Sequence, residues 1–267
     1  MSYKKRIDIL SEDRIKSVIK TSLFAQKIYA FWSISTTNDF AYRMALQGDK
    51  EGTLVIAEKQ IRGRGRKSRT WDSSFSKGLW FSLILRPEMP SHRAGLIPFI
   101  ASVSIAEAIE NKLNLQPDMK WPNDLLLGGK KFCGILSEAE FVNNKIKFII
   151  LGIGINVNHN PNDFPDELKN IATSLRIQSE KRVDRADLLA EILFRLEQNY
   201  QNIKVSGFEE TLSNWKRRCS KFKKRVVIEM EGQKLSGKFI DLDEGGGLIL
   251  KTEKGEQKKV VAGDLIY

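Results

Sequence analysis

Cysteine and histidine are scarce in this sequence, which has two of each among 267 residues. Cys133 and Cys219 are too few for a disulfide framework and favour a reducing compartment. His92 and His159 are too few for a histidine-based metal site. We expect the sequence to hold no apolar run long enough to span a bilayer, and it shows no charged-then-apolar leader at its N-terminus. These absences predict a soluble, cytoplasmic protein without a membrane anchor.

Basic residues are in excess, but the excess is confined to two short segments. The formal net charge is +11, from 44 Lys and Arg against 33 Asp and Glu. Residues 62–71 hold five basic residues and residues 216–225 hold seven, with no acidic residue in either segment. A broad nucleic-acid footprint is therefore disfavoured. A small anionic ligand is favoured at one segment, and an acidic partner is a possibility at the other.

The first basic segment, residues 62–71, reads Arg-Gly-Arg-Gly-Arg-Lys-Ser-Arg-Thr-Trp. It follows an apolar run at 53–58 that is typical of a buried strand. Glycine lets the backbone approach a ligand closely, and arginine offers forked donors to a phosphate or carboxylate. We interpret the segment as an anion-binding loop at the end of a strand. Composition alone leaves a solvated basic loop or a nucleic-acid patch open.

Helical patterns precede and follow this loop. Apolar spacing at 11–30 predicts a short helical lead-in over 1–35, too short for a winged helix-turn-helix domain. Residues 35–39, Ser-Thr-Thr-Asn-Asp, predict a helix start whose backbone N–H groups and whose Thr and Asn side chains suit a polar ligand head, although plain capping is the simpler role. Residues 95–115 predict an apolar helix with Pro98 in its first turn.

A β-hairpin is predicted at residues 119–136. Two apolar runs flank a Gly-Gly pair at 128–129, which is a hairpin signal. The antiparallel return would bring Lys131 and Gly134 towards Asp124.

Two further strands are predicted around this hairpin. Residues 78–85 read as one strand, and residues 146–155 as a continuous apolar strand after a turn at 141–145. The second strand ends in Gly-Ile-Gly-Ile-Asn. Close packing of backbone against a neighbour is the simplest role for Gly152 and Gly154.

The last third of the chain changes from helical to β patterns. Asp184 opens an amphipathic helix, and a second helix is predicted at 208–218. Four or five short β runs, punctuated by glycine, then favour a small barrel. The predicted domains are 1–220 and 221–267.

Five motifs along the chain resemble those of one family, in family order. They are Ser35-Thr36-Thr37-Asn38; Gln60 with Gly63-Arg64-Gly65-Arg66 and Trp71; Lys120-Trp121-Pro122-Asn123-Asp124; Lys131 with Gly134-Ile135-Leu136; and Gly152-Ile153-Gly154-Ile155-Asn156. The family is that of the biotin–protein ligases (biotin–acetyl-CoA-carboxylase ligases). The resemblance covers about residues 35–267 and is to the short form, which has no N-terminal DNA-binding domain. Thr36 stands where serine is common in the family, and Ser68 replaces a frequent glycine.

This resemblance implies a fold and a two-step reaction. The implied fold is α+β, with a mixed-sheet catalytic domain and packed helices (class II synthetase/lipoate-ligase-like) over 1–220 and a small SH3-like β-barrel over 221–267. Biotin and Mg-ATP would give biotinyl-5′-AMP and pyrophosphate. The adenylate would then acylate a lysine of a biotin carrier domain, such as that of acetyl-CoA carboxylase.

The resemblance also implies site residues, which fall into three groups. Arg64, Lys131 and Asp124 would be catalytic. The biotin-binding residues would be Thr36, Thr37, Asn38, Gln60, Gly63, Arg64, Gly65, Lys131, Gly134 and Gly152. The ATP- or adenylate-binding residues would be Arg66, Arg69, Trp71, Asn123, Asp124 and Asn156. Asp124 is the candidate ligand for Mg²⁺, because this hard cation takes carboxylate oxygens and shares them with phosphates.

Two alternative functions and one open property follow from the sequence. A lipoate–protein ligase is the nearest enzymatic alternative, because the same catalytic architecture serves that chemistry. A basic nucleic-acid-binding module is the alternative of another class, and it predicts binding with a steep salt dependence. Monomer and homodimer both remain open.

Two expectations concern the basic segments themselves. The loop at 62–70 should be mobile when empty and close over the adenylate, because its like charges repel and glycine raises the entropy cost of ordering. The barrel and the 216–225 segment should serve acceptor transfer or docking of an acidic carrier more than biotin binding. A structural cap is the alternative role.

Overall fold

The fold is built on two β-sheets. The computed structural model describes residues 8–230 and 232–266. The larger sheet has seven strands: β1 (Ile28–Phe31), β2 (Leu54–Ala57), β3 (Gly78–Leu85), β4 (Asp118–Lys120), β5 (Asp124–Leu127), β6 (Lys130–Val142) and β7 (Lys145–Asn156). The smaller has five: β8 (Arg225–Met230), β9 (Gln233–Leu242), β10 (Leu248–Lys251), β11 (Gln257–Val260) and β12 (Asp264–Ile266). The helices are α1 (Glu12–Lys16), α2 (Thr37–Leu46), α3 (Ile97–Leu113), α4 (Leu175–Ser179), α5 (Arg185–Ser206) and α6 (Glu209–Arg217).

The larger sheet is mixed, with the strand order β1-β2-β3-β7-β6-β5-β4. Its β1–β2 pair is parallel, and its other pairs are antiparallel. Helices α3 and α5 pack together in the main hydrophobic core, and α2 packs with β2, β3 and β7 in a second, smaller core. The expected mixed sheet with packed helices is confirmed.

Several predicted elements are confirmed because local sequence specifies them. The strand predicted at 78–85 is β3, and all eight of its residues are buried. The hairpin turn lies at Gly128 and Gly129, whose φ angles of 56° and 76° are those that glycine adopts without strain. Asp184 caps α5 by accepting hydrogen bonds from the N–H groups of Ala186 and Asp187.

The helical lead-in predicted over 1–35 is wrong in extent. Of the described part of this segment, only α1 is α-helical, and β1 follows at 28–31; residues 1–7 lie outside the described residues. Strand β1 pairs in parallel with β2, which lies more than 20 residues away in the sequence, so its conformation depends on a distant strand. Ile15 and Phe24 are fully buried, and Phe24 lies outside a helix. The spacing of apolar residues alone therefore did not distinguish a helix from a buried loop followed by a strand.

The expectation about membrane-spanning runs also needs a correction. Among the described residues, 91–113 form one helical stretch that is long and apolar enough to cross a bilayer. In its most apolar window, 67% is buried inside the protein. Helix α3 lies in this stretch and contacts α5, α6 and β6, so its apolar surface is that of a core helix.

Buried charges join α5 to the strand ends from which the candidate site begins. Arg185 is fully buried, and its Nη1 donates to Glu58 Oε2 at 2.9 Å and to the carbonyl oxygen of Gly78 at 3.0 Å. Its Nε lies 3.3 Å from Asp8 Oδ2. A buried arginine is stable only when its donors are matched in this way. The ends of β2 and β3 are therefore held in fixed positions.

The C-terminal sheet is antiparallel, in the order β11-β10-β9-β8-β12, as expected for the SH3-like barrel. The Trp215 ring packs on Phe99 of α3 and on Phe239 of β9, with ring centroids 5.1 and 6.4 Å apart. Trp121 Nε1 donates to the carbonyl oxygen of Gly246 at 3.0 Å. These contacts attach the barrel directly to α3 and to the segment between β4 and β5.

The second basic segment, 216–225, is used partly within the fold. Lys216 pairs with Asp241 of the barrel at 2.5 Å, and Arg218 pairs with Glu110 of α3 at 2.7 Å. Lys223 Nζ donates to the carbonyl oxygen of Ile240 at 2.7 Å. These bonds favour the structural role that the sequence left as an alternative. Carrier docking at this segment stays a prediction.

Candidate active site

The arginine–glycine loop, residues 62–71, folds into a small hairpin. The N–H of Gly65 donates to the carbonyl oxygen of Arg69 at 2.7 Å, and that of Trp71 donates to the carbonyl oxygen of Gly63 at 2.9 Å. The hairpin turns through Lys67 and Ser68, whose φ angles are 53° and 58°. Non-glycine residues rarely adopt this left-handed region. Backbone hydrogen bonds and this turn thus give the loop a definite conformation.

A polar pocket lies beside the loop, at the N-terminus of α2. The N–H of Thr37 donates to Gln60 Oε1 at 2.8 Å, and Gln60 Nε2 donates to Ser73 Oγ at 3.1 Å. Ser82 Oγ, on the buried strand β3, lies 2.6 Å from Asn38 Oδ1 and 2.8 Å from Thr37 Oγ1. The sequence-predicted trio of Thr37, Asn38 and Gln60 is therefore brought together.

Two neighbours of this pocket have steric or capping functions. Thr36 is the N-cap of α2, and its hydroxyl accepts the N–H of Asp39 at 2.9 Å. A Cβ atom on Gly152 would lie 2.0 Å from Asn38 Oδ1, so only glycine fits at this position of β7. Gly152 thus makes room for the Asn38 amide, which is the close packing that the sequence suggested.

Arg64 faces an open cavity and is held by two carboxylates. Its Nη2 bonds to Asp39 of α2 and lies 3.4 Å from Glu138 Oε1 of β6. Glu138 Oε2 accepts a hydrogen bond from Asn38 Nδ2 at 2.7 Å. The cavity, of about 590 Å³, is lined by Ser35, Asp39, Tyr42, Arg43, Arg64 and Glu138.

The Trp71 ring packs on Gly134 and Gly154, and we call this pair of glycines the glycine shelf. Gly134 of β6 and Gly154 of β7 are opposite each other in the sheet. A Cβ atom would lie 2.7 Å from the Trp71 ring at Gly134 and 2.6 Å from it at Gly154. Lys131 Nζ lies 5.1 Å from the ring centroid, within cation–π range. The Trp71 indole N–H is buried and has no hydrogen-bond partner among the described groups.

Asp124, Lys131 and Asn123 meet at the hairpin of β5 and β6. Lys131 Nζ lies 2.6 Å from Asp124 Oδ1, as the predicted antiparallel return requires. Asn123 Oδ1 accepts from Arg66 Nη1 at 3.2 Å. Burial lowers the pKa of Lys120, and the charge of Asp124 partly offsets this effect. The hairpin and the arginine–glycine loop thus face each other across one cationic cleft.

The barrel contributes one carboxylate, Asp264, to this cleft. Asp264 lies 3.3 Å from Lys67 Nζ, bonds to Arg69 Nη2, and lies 3.9 Å from Arg66 Nη1. Burial alone would raise the pKa of Asp264, but hydrogen bonds from Lys67 and Arg69 lower it below its ordinary value. Asp264 therefore supplies a counter-charge to the loop from β12, a strand whose position the sequence did not predict. Mobility of the loop without a ligand stays a prediction.

The remaining predicted residues have distinct surroundings. Asn156 is the last residue of β7, is buried, and its Nδ2 donates to the carbonyl oxygen of Thr173 at 3.1 Å. A Cβ atom on Gly63 would lie 2.4 Å from the carbonyl oxygen of Trp71, whereas at Gly65 the nearest atom is 3.5 Å away. Gly63 is therefore sterically required and Gly65 is not.

Sequence reasoning missed five polar residues in or beside the site. They are Asp39, Ser73, Ser82, Glu138 and Asp264. Only Ser82 carried a clear signal, because it is the one polar residue in the apolar run of β3. Glu138 and Asp264 acquire their roles from partners that are distant in sequence.

Two family models match the chain. The Biotin/lipoate A/B protein ligase family matches residues 30–156, and the Biotin protein ligase C terminal domain matches residues 223–266. The first match includes the polar pocket and the hairpin, and the second includes Asp264.

Relatives and solved structures agree with these matches. Bifunctional ligase/repressor BirA of Bacillus subtilis (strain 168) is 38% identical over 260 residues, which cover 96% of this chain and 78% of that protein. Biotin--[acetyl-CoA-carboxylase] ligase of Mycobacterium tuberculosis (strain ATCC 25618 / H37Rv) is 29% identical over 238 residues, 87% of this chain and 85% of that protein. The structure of biotin protein ligase from Aquifex aeolicus in complex with biotin and ATP superposes with a TM-score of 0.76 at 30% identity, covering 90% of this chain and 98% of that chain. On this similarity, the chain belongs to the biotin protein ligase family.

Proposed function

We propose that the chain activates biotin with ATP and transfers it to a lysine of a biotin carrier domain at this site. The observation that carries the proposal is the position of the arginine–glycine loop. Its Arg64 is linked through Glu138 to Asn38 in the polar pocket, and its Arg66 contacts Asn123 at the cationic hairpin. A ligand with a polar head and a carboxylate suits the first part, and a phosphate suits the second.

In the first step, a carboxylate oxygen of biotin attacks the α-phosphorus of ATP. A P–O bond forms, the bond to the β-phosphate oxygen breaks, and pyrophosphate leaves. Two anions must approach each other, so cations that bridge them lower the barrier by preorganised electrostatics. Arg64 and Lys131 are assigned to the biotin carboxylate, and Arg66 and Arg69 to the phosphates.

The polar pocket is assigned to the ureido head of biotin. Thr37, Asn38 and Gln60 supply donors and acceptors there, and Thr36 fixes the N-terminus of α2. Thr37 bonds to Gln60, and a ureido group would exchange hydrogen bonds with this pair, whereas Asn38 is bonded to Ser82 and Glu138. Gly63, Gly65, Gly134 and Gly152 are assigned to the backbone that approaches the ligand.

The nucleotide base is assigned to the Trp71 side of the cleft. A flat ring on one face of a base contributes stacking, and the unpartnered indole N–H offers a donor nearby. Asn156 is assigned to the same side. The glycine shelf fixes the orientation of Trp71, because larger residues at Gly134 or Gly154 would collide with the ring.

Asp124 is assigned to Mg²⁺ that arrives with ATP. No group of three or more His, Cys, Asp or Glu suited to a metal occurs within 8–230 and 232–266. One carboxylate fits a metal that takes its other oxygens from phosphates and water. Magnesium bound there would neutralise phosphate charge. Lys131 pairs with Asp124 in the described structure and is itself assigned to the carboxylate of biotin.

In the second step, the acceptor amine attacks the acyl carbon of biotinyl-5′-AMP. The C–N bond forms, the bond from the acyl carbon to the phosphate oxygen breaks, and AMP leaves while the amine loses a proton. The proposed acceptor is a carrier domain such as that of acetyl-CoA carboxylase. Cytoplasmic location and the domain division at 220/221 are parts of the same proposal.

Mass spectrometry of a carrier domain tests the proposal. The purified chain with biotin, Mg-ATP and carrier should add one biotinyl mass to each carrier, and lipoate should add none. A carrier modified by lipoate and not by biotin would replace the assignment with the lipoate ligase. Calorimetric titration with each acid gives an independent measure of the same preference.

A further inference from the structure

Glu138 links the two parts of the site that the proposed function assigns to opposite ends of biotin. Its Oε2 accepts from Asn38 Nδ2 at 2.7 Å, and its Oε1 lies 3.4 Å from Arg64 Nη2. Asn38 belongs to the head-group pocket and Arg64 to the carboxylate end. A single side chain of β6 therefore contacts one residue from each end.

The Asn38 end of this link is held by buried neighbours. Asn38 Oδ1 lies 2.6 Å from Ser82 Oγ of the buried strand β3, and it packs so closely on Gly152 that a Cβ atom there would lie 2.0 Å from it. Asn38 is itself 6% exposed. The amide of Asn38 is thus a fixed reference point for Glu138.

The Arg64 end leaves part of the guanidinium for a ligand. Both carboxylate contacts of Arg64 use Nη2, and the described structure shows no bond from its Nε or Nη1. The guanidinium is planar and rigid, so fixing one edge also orients the other. The other edge can take a ligand carboxylate in the cavity lined by Arg64 and Glu138.

We propose that Glu138 is a positioning residue that sets the distance between the head-group pocket and Arg64, and so selects the length of the acyl chain. The inference rests on the proposed function. A substrate with the correct number of methylenes places its head on Asn38 and its carboxylate on Arg64 together. A chain one methylene longer or shorter meets only one of these contacts in its best geometry.

The test compares Glu138→Gln with Glu140→Gln. Glu140 is a matched control, because it lies two residues along β6, has the same side-chain length, and accepts from Tyr42 Oη at 2.7 Å instead of from Arg64. Pyrophosphate release is measured with biotin, with norbiotin (one methylene shorter) and with homobiotin (one methylene longer). Melting temperatures establish that each variant is folded.

In Glu138→Gln, an amide N–H₂ or a neutral oxygen replaces the carboxylate that faces Arg64. The KM for biotin should rise about tenfold, as expected for losing one hydrogen bond to a charged group. The preference for biotin over both homologues, measured as kcat/KM, should fall about tenfold, whereas Glu140→Gln should keep the wild-type preference. Asp39→Asn, which removes the other carboxylate on Arg64 but has no bond to Asn38, should raise KM and keep the preference.

Glu138→Asp keeps the charge and shortens the arm, so it should lose the preference as well. It also serves if the glutamine variant does not fold. An equal loss of activity on all three acids, or an unchanged preference in both Glu138 variants, would overturn the length-selecting role and leave the ligase assignment intact. Failure of the wild-type enzyme to release pyrophosphate with biotin would instead overturn the assignment and, with it, this inference.

Discussion

Replacing Asp264 with asparagine should free the arginine–glycine loop from the barrel. The side chain of Asp264 is 20% exposed and pairs with Lys67, Arg69 and, at longer range, Arg66. Asparagine keeps the size of the side chain and removes its charge. The three cations then repel one another without a counter-charge, so the hairpin at 62–71 should open more often in the empty enzyme.

The expected magnitude follows from the exposure of the partners. The side chains of Lys67 and Arg69 are 42% and 64% exposed, so each pair is expected to contribute roughly 0.2–1 kcal/mol. The two close ion pairs and the third at 3.9 Å together stabilise the loop in its closed hairpin against opening by about 1–2 kcal/mol. About 1.4 kcal/mol corresponds to a tenfold change in the open population. Because the folded pKa of Asp264 is lowered, this stabilisation is full above the unfolded pKa and is lost as pH falls through the folded pKa.

Limited trypsin digestion at pH 7 measures the open population, since cleavage follows it when opening is fast. The empty Asp264→Asn enzyme should be cut after Arg66, Lys67 and Arg69 about tenfold faster than wild type, and biotin with ATP should protect both proteins. Asp241→Asn is the control, because Asp241 is a barrel carboxylate that pairs with Lys216 away from the loop. Equal cleavage of the empty Asp264→Asn and wild-type enzymes would refute the role of Asp264.

Three further predictions concern single side chains. Lys131→Ala should slow pyrophosphate release about 10²–10³-fold, by analogy with removing one oxyanion-hole donor. The melting temperature should change little, because the ion pair of Lys131 with Asp124 is partly exposed. Near-normal pyrophosphate release would contradict the catalytic role of Lys131. Ser68→Gly should raise the free energy of unfolding by about 1 kcal/mol in urea denaturation, because Ser68 has a φ of 58°; an unchanged or lower value would show that the turn is unstrained. Burial lowers the pKa of His159 to about 4, and both its ring nitrogens lack a partner among the described groups, so stability should fall as pH drops from about 6.5 to 4, by up to about 3 kcal/mol. His159→Phe should remove that dependence in urea unfolding at pH 7.5 and 5; an unchanged slope would exclude His159 as its source.

The parts of the fold that the sequence predicted are those whose causes are local. The Gly-Gly turn and the Asp184 cap use the backbone freedom or the side-chain oxygen of the residues concerned. Strand β1 was missed because its identity depends on parallel pairing with β2, more than 20 residues away. Its four residues carry too little periodicity to indicate a strand on their own.

The same distinction separates the predicted and unpredicted parts of the site. Family motifs indicated Arg64, Lys131 and Asp124, and the hairpin brought the last two together as its register requires. Asp264 lies 197 residues from Lys67 in sequence and meets it only because Trp121 and Trp215 attach the barrel to the core. No local pattern could have assigned that carboxylate to the loop.

The counter-charges change how the loop is expected to work. Asp39, Asp264 and Glu138 already neutralise the cations that a carboxylate and a phosphate would use. We therefore expect binding to be an exchange of anions, in which the ligand competes with these carboxylates for the same cations. Such an exchange should cost less than ordering a disordered loop, because hydrogen bonds within the hairpin hold its backbone. Asp264 would compete for the same cations again when AMP and pyrophosphate leave.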